Sequence, residues 1–193
     1  MKRNIKRMLY IVSALLISPF TLICLMISVV LNKDAVFSSF SQLLSLLPGK
    51  VGVYLRAGFY RFTLTSCSPD VVISFLVLLS QRDTDIEKGV YIGPQCNIGK
   101  CHIGKHTLIG SGVHIMSGKG QHNFDDLNIP IKEQSGSFEK INIGEDCWIG
   151  NGAMIMANIG ANSVVGAGSV VISEIPPFSI VAGNPARVIK SRC

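Results

Sequence analysis

The chain has 193 residues, 48% of them apolar, and a net charge of +6, which is room for one domain plus an extension. Residues 1–64 hold eight Lys or Arg against one acid, whereas residues 65–193 hold ten against eleven. A nucleic-acid binder would carry its basic stripe on the folded domain; here the excess lies beside an apolar segment and reads as membrane-surface charge.

That segment is "MLYIVSALLISPFTLICLMISVVL", residues 8–31, with no charge in it. At about 1.5 Å per residue it is long enough to cross a bilayer, and Lys2, Arg3, Lys6 and Arg7 precede it. It is too long for a signal peptide, and no small-x-small cleavage site follows cleanly. Ser18-Pro19 stands at its centre, and proline removes a backbone donor, so the segment either spans the membrane or enters and returns as a bent hairpin. Lys33, Lys50, Arg56 and Arg61 make the far flank basic too, which favours a hairpin held at the cytoplasmic face of the inner membrane. A buried soluble helix is the plain alternative. Residues 35–64 then give "AVFSSFSQLLSLL", a Pro48-Gly49 break and "VGVYLRAGFYRFTL". Tyr54, Phe59, Tyr60 and Phe62 alternate there with Arg56 and Arg61, which suits a lipid interface or a helix capping the next domain. Residues 1–64 are therefore expected to form a membrane-associated helical region.

From residue 86 the spacing changes. Ile86, Ile92, Ile98, Ile103, Ile109 and Ile115 recur almost every six residues, and Gly93, Gly99, Gly104 and Gly110 follow four of them. After a gap, Ile143, Ile149, Ile155, Ile159, Val165 and Val171 resume the beat. Small side chains recur four residues after the aliphatic, among them Cys96, Thr107, Cys147, Ala153, Ser163 and Ser169. No helix has period six, and a half-buried strand has period two. Short strands joined by tight turns, three to a coil, stack into a parallel β-helix of roughly four to five coils. This all-β domain is expected over residues 65–175, with a loop at 116–140 and a C-terminal extension at 176–193.

The stretches "SGKGQHNFDD", "IGEDCWIGNGAMIMANIGANSVVGAGSVV" and "IPPFSIVAGNPARVI", together with the repeat, resemble the hexapeptide-repeat acyltransferases. Among these the chain is most similar to bacterial O-acetyltransferases of cell-surface polysaccharides. The resemblance implies a left-handed winding of the coils, acetyl-CoA as co-substrate and a homotrimer. It implies a sugar hydroxyl, on an envelope polysaccharide or its lipid-linked precursor, as acceptor.

Loop 116–140 carries the one histidine that lies outside the coils. A free imidazole with a pKa of about 6.5 can accept a proton at neutral pH, as transfer to a hydroxyl requires. The resemblance puts the family's catalytic base on His122; Asp125, Asp126 and Glu133 are possible orienting partners. It further implies that Trp148 flanks the site, that Asn151 and Ala167 line the pantetheine path, and that Arg187 approaches phosphate, which its donor fork suits. Ile172-Ser173 stands where the family commonly has Thr-Lys, so a phosphate-binding lysine is missing.

His102, His106 and His114 fall on outward or turn positions, where surface or stacking roles are expected. "CNIGKCHIGKH" gathers Cys96, Cys101, His102 and His106, but successive hexapeptides face different sides of the coil. The four would diverge rather than close a tetrahedral zinc site, so no metal is expected. Six scattered cysteines, including Cys24 and the terminal Cys193, read as free thiols of a reducing compartment. Cys147 could be an acyl nucleophile, but its repeat position predicts that it is packed. No dinucleotide-binding unit is present, and "SGKG" is no phosphate loop. Two other functions remain open at this stage: acetylation of another small acceptor of the serine or antibiotic type, and a non-catalytic scaffold at the membrane.

Overall fold

The computed structural model describes residues 2–192, with side chains from residue 8 onward. Cys193 and the side chains of Lys2, Arg3, Lys6 and Arg7 lie outside the described residues. Three helices open the chain: α1 (Lys2–Val30), α2 (Lys33–Ser45) and α3 (Gly49–Thr63).

Helix α1 runs unbroken through Pro19. Proline has no N–H for the carbonyl of Leu15, and the Ser18 hydroxyl takes its place, donating to Leu15 O at 2.7 Å. With that acceptor satisfied, the helix has no reason to open. The bent hairpin expected within residues 8–31 is therefore not formed. The reversal comes after α1, where the Asn32 side chain accepts from the backbone N–H groups of Asp34 and Ala35 and starts α2.

One stripe of α1 is buried: Ser13, Ile17, Thr21, Cys24 and Ser28. The Thr21 and Ser28 hydroxyls return to the carbonyls of Ile17 and Cys24, so none needs an outside partner. A side-chain carbon added at Gly58 of α3 would lie 3.1 Å from the Ala14 Cα, so these helices approach to backbone contact. Phe20, Phe37, Phe40, Phe59 and Tyr60 form one aromatic cluster between the three helices.

Of the two roles open for residues 35–64, capping accounts for the buried ones. Arg56, Phe59 and Tyr60 are wholly buried, while Arg61 and Phe62 stay on the surface. The Arg56 guanidinium donates to the carbonyls of Leu44, Leu47 and Ile73. It thus satisfies the C-terminal end of α2 and fastens it to the first coil. The Ser41 hydroxyl bonds the Tyr60 hydroxyl at 2.8 Å and accepts from Leu79 N, joining the same parts.

The remaining chain winds through three parallel sheets. Sheet A holds β1 (Ser66–Cys67), β4 (Asp85–Ile86), β7 (Cys101–Ile103) and β10 (Ile141–Ile143). Sheet B holds β2 (Val72–Ile73), β5 (Tyr91–Ile92), β8 (Leu108–Ile109), β11 (Trp148–Ile149), β13 (Val164–Val165) and β15 (Ser179–Gly183), and ends on the antiparallel β16 (Ala186–Ser191). Sheet C holds β3 (Leu78–Leu79), β6 (Asn97–Ile98), β9 (His114–Ile115), β12 (Met154–Ile155) and β14 (Val170–Val171).

In each two-residue strand the second residue points inward. Ile73, Ile92, Ile109, Ile149, Val165 and Val181 stack in register down sheet B, all essentially fully buried. The recurrent small residues tie each coil to the next. Thr107 Oγ1 donates to Gly144 O, Cys147 Sγ to Gly160 O and Ser163 Oγ to Pro176 O. Two of the three corners use a left-handed residue in nearly every turn. At one of them His106, Asp146, Asn162 and Phe178 adopt φ between 51° and 60°, an uncommon conformation for non-glycine residues.

The β-helix begins one coil earlier than the run of isoleucines suggests. Cys67, Ile73 and Leu79 supply the inward residues of the first coil, giving about six turns with the partial coil at β15. Cysteine and leucine broke the isoleucine pattern there, although the spacing was present.

Candidate functional site

The isoleucine ladder is not interrupted at the gap. β10 pairs with β7 in register, Ile143 against Ile103, so residues 116–140 leave and rejoin at the corner between sheets C and A. The excursion is an arm whose two legs pair: Glu139 N donates to Ser117 O, Ser137 N to Gly120 O and Asn123 N to Ser135 O. Gly136 is required where the legs press together, since an added Cβ would lie 2.1 Å from the Gln121 carbonyl oxygen. The tip is tied by Gln134, whose amide donates to the carbonyls of Asp126 and Ile129. At the base, Lys140 pairs with Asp83 and Asp85, and Lys100 meets Asp83 at 3.0 Å. Hydrogen bonds from Lys140, then Lys100, hold the Asp83 carboxyl below the ordinary carboxylate range.

His122 stands on the first leg beside the Gly136 crossing. Its side chain is exposed. It makes no side-chain hydrogen bond or ion pair among the described residues. None of the three candidate orienting acids reaches it: the Asp126 carboxylate accepts from Asn128 N, and Glu133 pairs with Lys132.

The arm folds over the outer face of sheet C. Between them is an open groove of about 380 Å³ lined by Ser80, Asn97, His114, Gln121, Phe138 and Met154, among others. Asn97, His114 and Met154 are the outward residues of successive sheet C strands, directly in register. Of this set the sequence singled out only His114, as a surface or stacking residue. The signal of the whole set was the outward residue of every third hexapeptide, legible only once the coil phase is known.

The four expected donor-side residues lie elsewhere. Trp148 projects from sheet B between Leu108 and Val164 and is 56% exposed. Asn151 and Ala167 occupy successive turns at the corner between sheets B and C, linked by Gly168 N donating to Asn151 O. The Asn151 Oδ1 also accepts from Ser111 N at 3.0 Å, so it serves the coil as well. Arg187 lies on β16 opposite Ala182 of β15, with its guanidinium on the Ala186 carbonyl. The fold thus gathers Trp148, Asn151, Ala167 and Arg187 along one edge of sheet B. The arm that carries His122 leaves the coil at the other edge of sheet C.

Cys147 is buried, with its thiol on Gly160 O, and burial raises its pKa. That environment suits packing rather than nucleophilic attack. Cys96 and Cys101 point into the core, whereas His102 faces out from sheet A beside Glu87 and His106 sits in a turn. The four diverge. Among the described residues no three His, Cys, Asp or Glu side chains converge as a metal site.

The family model for the bacterial transferase hexapeptide (six repeats) matches residues 83–117. The parallel sheets and this match agree with the left-handed β-helix implied by the resemblance. Solved structures share the fold. A hexapeptide-repeat-containing acetyltransferase from Vibrio cholerae aligns with 23% identity and a TM-score of 0.58, covering 84% of this chain and 94% of its own. A maltose O-acetyltransferase from Clostridium difficile 630 aligns with 24% identity and a TM-score of 0.62, covering 82% and 86%. A mutant of AntD, an N-acyltransferase from Bacillus cereus in complex with dTDP-4-amino-4,6-dideoxyglucose and coenzyme A, aligns with 22% identity and a TM-score of 0.54, covering 64% and 70%. No curated protein matches the sequence.

Proposed function

We propose that the protein is an acetyl-CoA-dependent O-acetyltransferase acting on a sugar hydroxyl of an envelope polysaccharide or its lipid-linked precursor, with His122 as general base. The observation that carries the reading is the arm. It presents one exposed imidazole, without a side-chain hydrogen bond or ion pair among the described residues, one residue along the leg from Gln121, which lines a groove that a small polar acceptor would fit. The amides of Asn97 and Gln121 and the Ser80 hydroxyl offer hydrogen bonds to sugar hydroxyls. Phe138 and Met154 offer an apolar face to the ring C–H groups.

In this reading His122 accepts the acceptor hydroxyl's proton as the oxygen attacks the thioester carbonyl. The tetrahedral intermediate collapses with cleavage of the C–S bond, and the proton held on His122 passes to the departing sulfur, so that CoA leaves as the thiol and the imidazole is neutral again. Trp148, Asn151, Ala167 and Arg187 would hold the donor, Arg187 against phosphate. Because they lie across sheet C from the root of the arm that carries His122, a complete site would take the base from one subunit and the donor edge from the next, in a homotrimer. Two exposed apolar surfaces support such an assembly: the Tyr91, Leu108 and Trp148 ladder of sheet B, and Phe124 and Leu127 at the arm.

The test is comparison of O-acetyl signals in envelope polysaccharide by NMR from cells expressing the wild type or His122→Ala. Loss of the signals with the variant is expected. Unchanged acetylation overturns the assignment of the base. Equal acetylation in cells lacking the protein overturns the acceptor class.

A further inference from the structure

Helix α1 is built inside out relative to a soluble amphipathic helix. The side facing the protein carries Ser13, Thr21, Cys24 and Ser28, with Ile17 as its only fully buried aliphatic and the partly buried Tyr10 and Phe20 at its margin. The side facing away carries Leu15, Leu16, Leu22, Ile23, Met26 and Val30, each more than half exposed. A helix whose solvent is water places these classes the other way round. Small and hydroxyl-bearing residues toward neighbouring helices, with large aliphatics outward, is the arrangement used where the surroundings are hydrocarbon.

Length and apolarity alone allow residues 8–30 to span, with a mean hydropathy of 2.3. The packing does not favour it. The buried stripe runs from Ser13 to Ser28, so α1 lies sideways along α3 and α2 for most of its length. Those helices are in turn fastened to the first coil through Arg56 and Ser41. A perpendicular span would either strip α1 from Gly58 or draw the buried Arg56 and the coil edge into hydrocarbon. Both are expensive.

We infer that α1 lies in the plane of an anionic bilayer, its outer face sunk in the acyl region and the β-helix beside the same leaflet. Charge argues for lipid as the occupant. Exposed Lys33, Lys50 and Arg61 flank the apolar face, within a region carrying seven excess positive charges, which is what anionic headgroups attract. A shallow groove of about 280 Å³ between α1 and α3 joins Ile11, Ala14, Leu15 and Ser18 to Arg61 and Phe62. There the Arg61 guanidinium lies 5.8 Å from the Phe62 ring centroid, setting a cation suited to a phosphate beside an apolar slot. The inference is independent of the reaction catalysed.

The experiment uses the full chain in cells, in a Cys193→Ser background, with Met8→Cys, Leu31→Cys or Lys190→Cys introduced singly. An impermeant maleimide is applied to spheroplasts and to inverted inner-membrane vesicles. All three sites should react in inverted vesicles and none in spheroplasts, and the double variant Leu16→Glu, Ile23→Glu should lower the membrane-bound fraction at least tenfold. Labelling of the Met8 and Leu31 sites from opposite sides would establish a span and overturn the in-plane placement. Recovery of the wild type in the soluble fraction would overturn lipid as the occupant and leave a second copy to cover the face. The purified protein should also bind phosphatidylglycerol vesicles more tightly than phosphatidylcholine vesicles; equal binding would overturn the anionic preference.

Discussion

The β-helix and the helix α1 use the same aliphatic residues in opposite senses. In the coils, isoleucine and valine point inward and hydroxyls or thiols close the turns between coils. In α1 three hydroxyls and a thiol lie inside with Ile17, and most of the leucines, isoleucines and valines lie outside. The coil's interior is filled by its own side chains, whereas the aliphatic outer face of α1 is left uncovered by this chain.

His122→Ala should have the largest effect and fall on neither side of the contrast. Acetyl transfer by the purified variant should drop by about two to four orders of magnitude, the usual size of general-base catalysis. Thermal unfolding should be unchanged, because the side chain touches no core residue.

Truncation within the ladder comes next. Ile109→Ala removes a fully buried side chain between Ile92 and Ile149 and should cost about 2–5 kcal/mol in urea unfolding. The matching change on the other region, Leu16→Ala, should move stability by less than about 0.5 kcal/mol. Equal losses would erase the distinction between the two surfaces.

Gly58→Leu probes the inner face of α1. An added Cβ meets the Ala14 backbone at 3.1–3.2 Å, so overpacking should cost about 1–3 kcal/mol and increase protease cleavage around residues 31–33. Stability equal to the wild type would mean that α1 does not pack as described.

The smallest expected effect is at the arm's base. The Asp83 carboxyl is held below its ordinary range by Lys140 and Lys100, so its contribution is present above about pH 4 and fades as pH falls through the lowered value. Being half exposed, it should contribute less than about 1 kcal/mol. Asp83→Asn should unfold slightly earlier than the wild type at about pH 6, and the gap should close toward about pH 3. A gap that widens in acid would contradict the ion-pair account.

Much of the fold was legible because a coil repeats one physical requirement. Ile86 through Ile115, and Ile143 through Val171, each fill the same inward position, and six-residue spacing has few other structural meanings. Coil one was harder because Cys67 and Leu79 meet that requirement without looking like it. Pro19 misled for a local reason: the sequence shows a missing donor, whereas only geometry shows the Ser18 hydroxyl filling the vacancy. His122 was visible as a polar residue in a break. The groove under the arm was not, because Asn97, His114 and Met154 become neighbours only after the coils stack in register.

The join at Ile115 and Ile141 has a consequence for how such proteins diversify. The ladder resumes as though the 116–140 arm were absent, and the entropic cost of a closed loop grows only slowly with its length. That corner is a graft point, where arms of other lengths and chemistries could be exchanged on an unchanged coil. A new acceptor preference could then be acquired by transplanting one segment, with no core residue altered and no coil refolded.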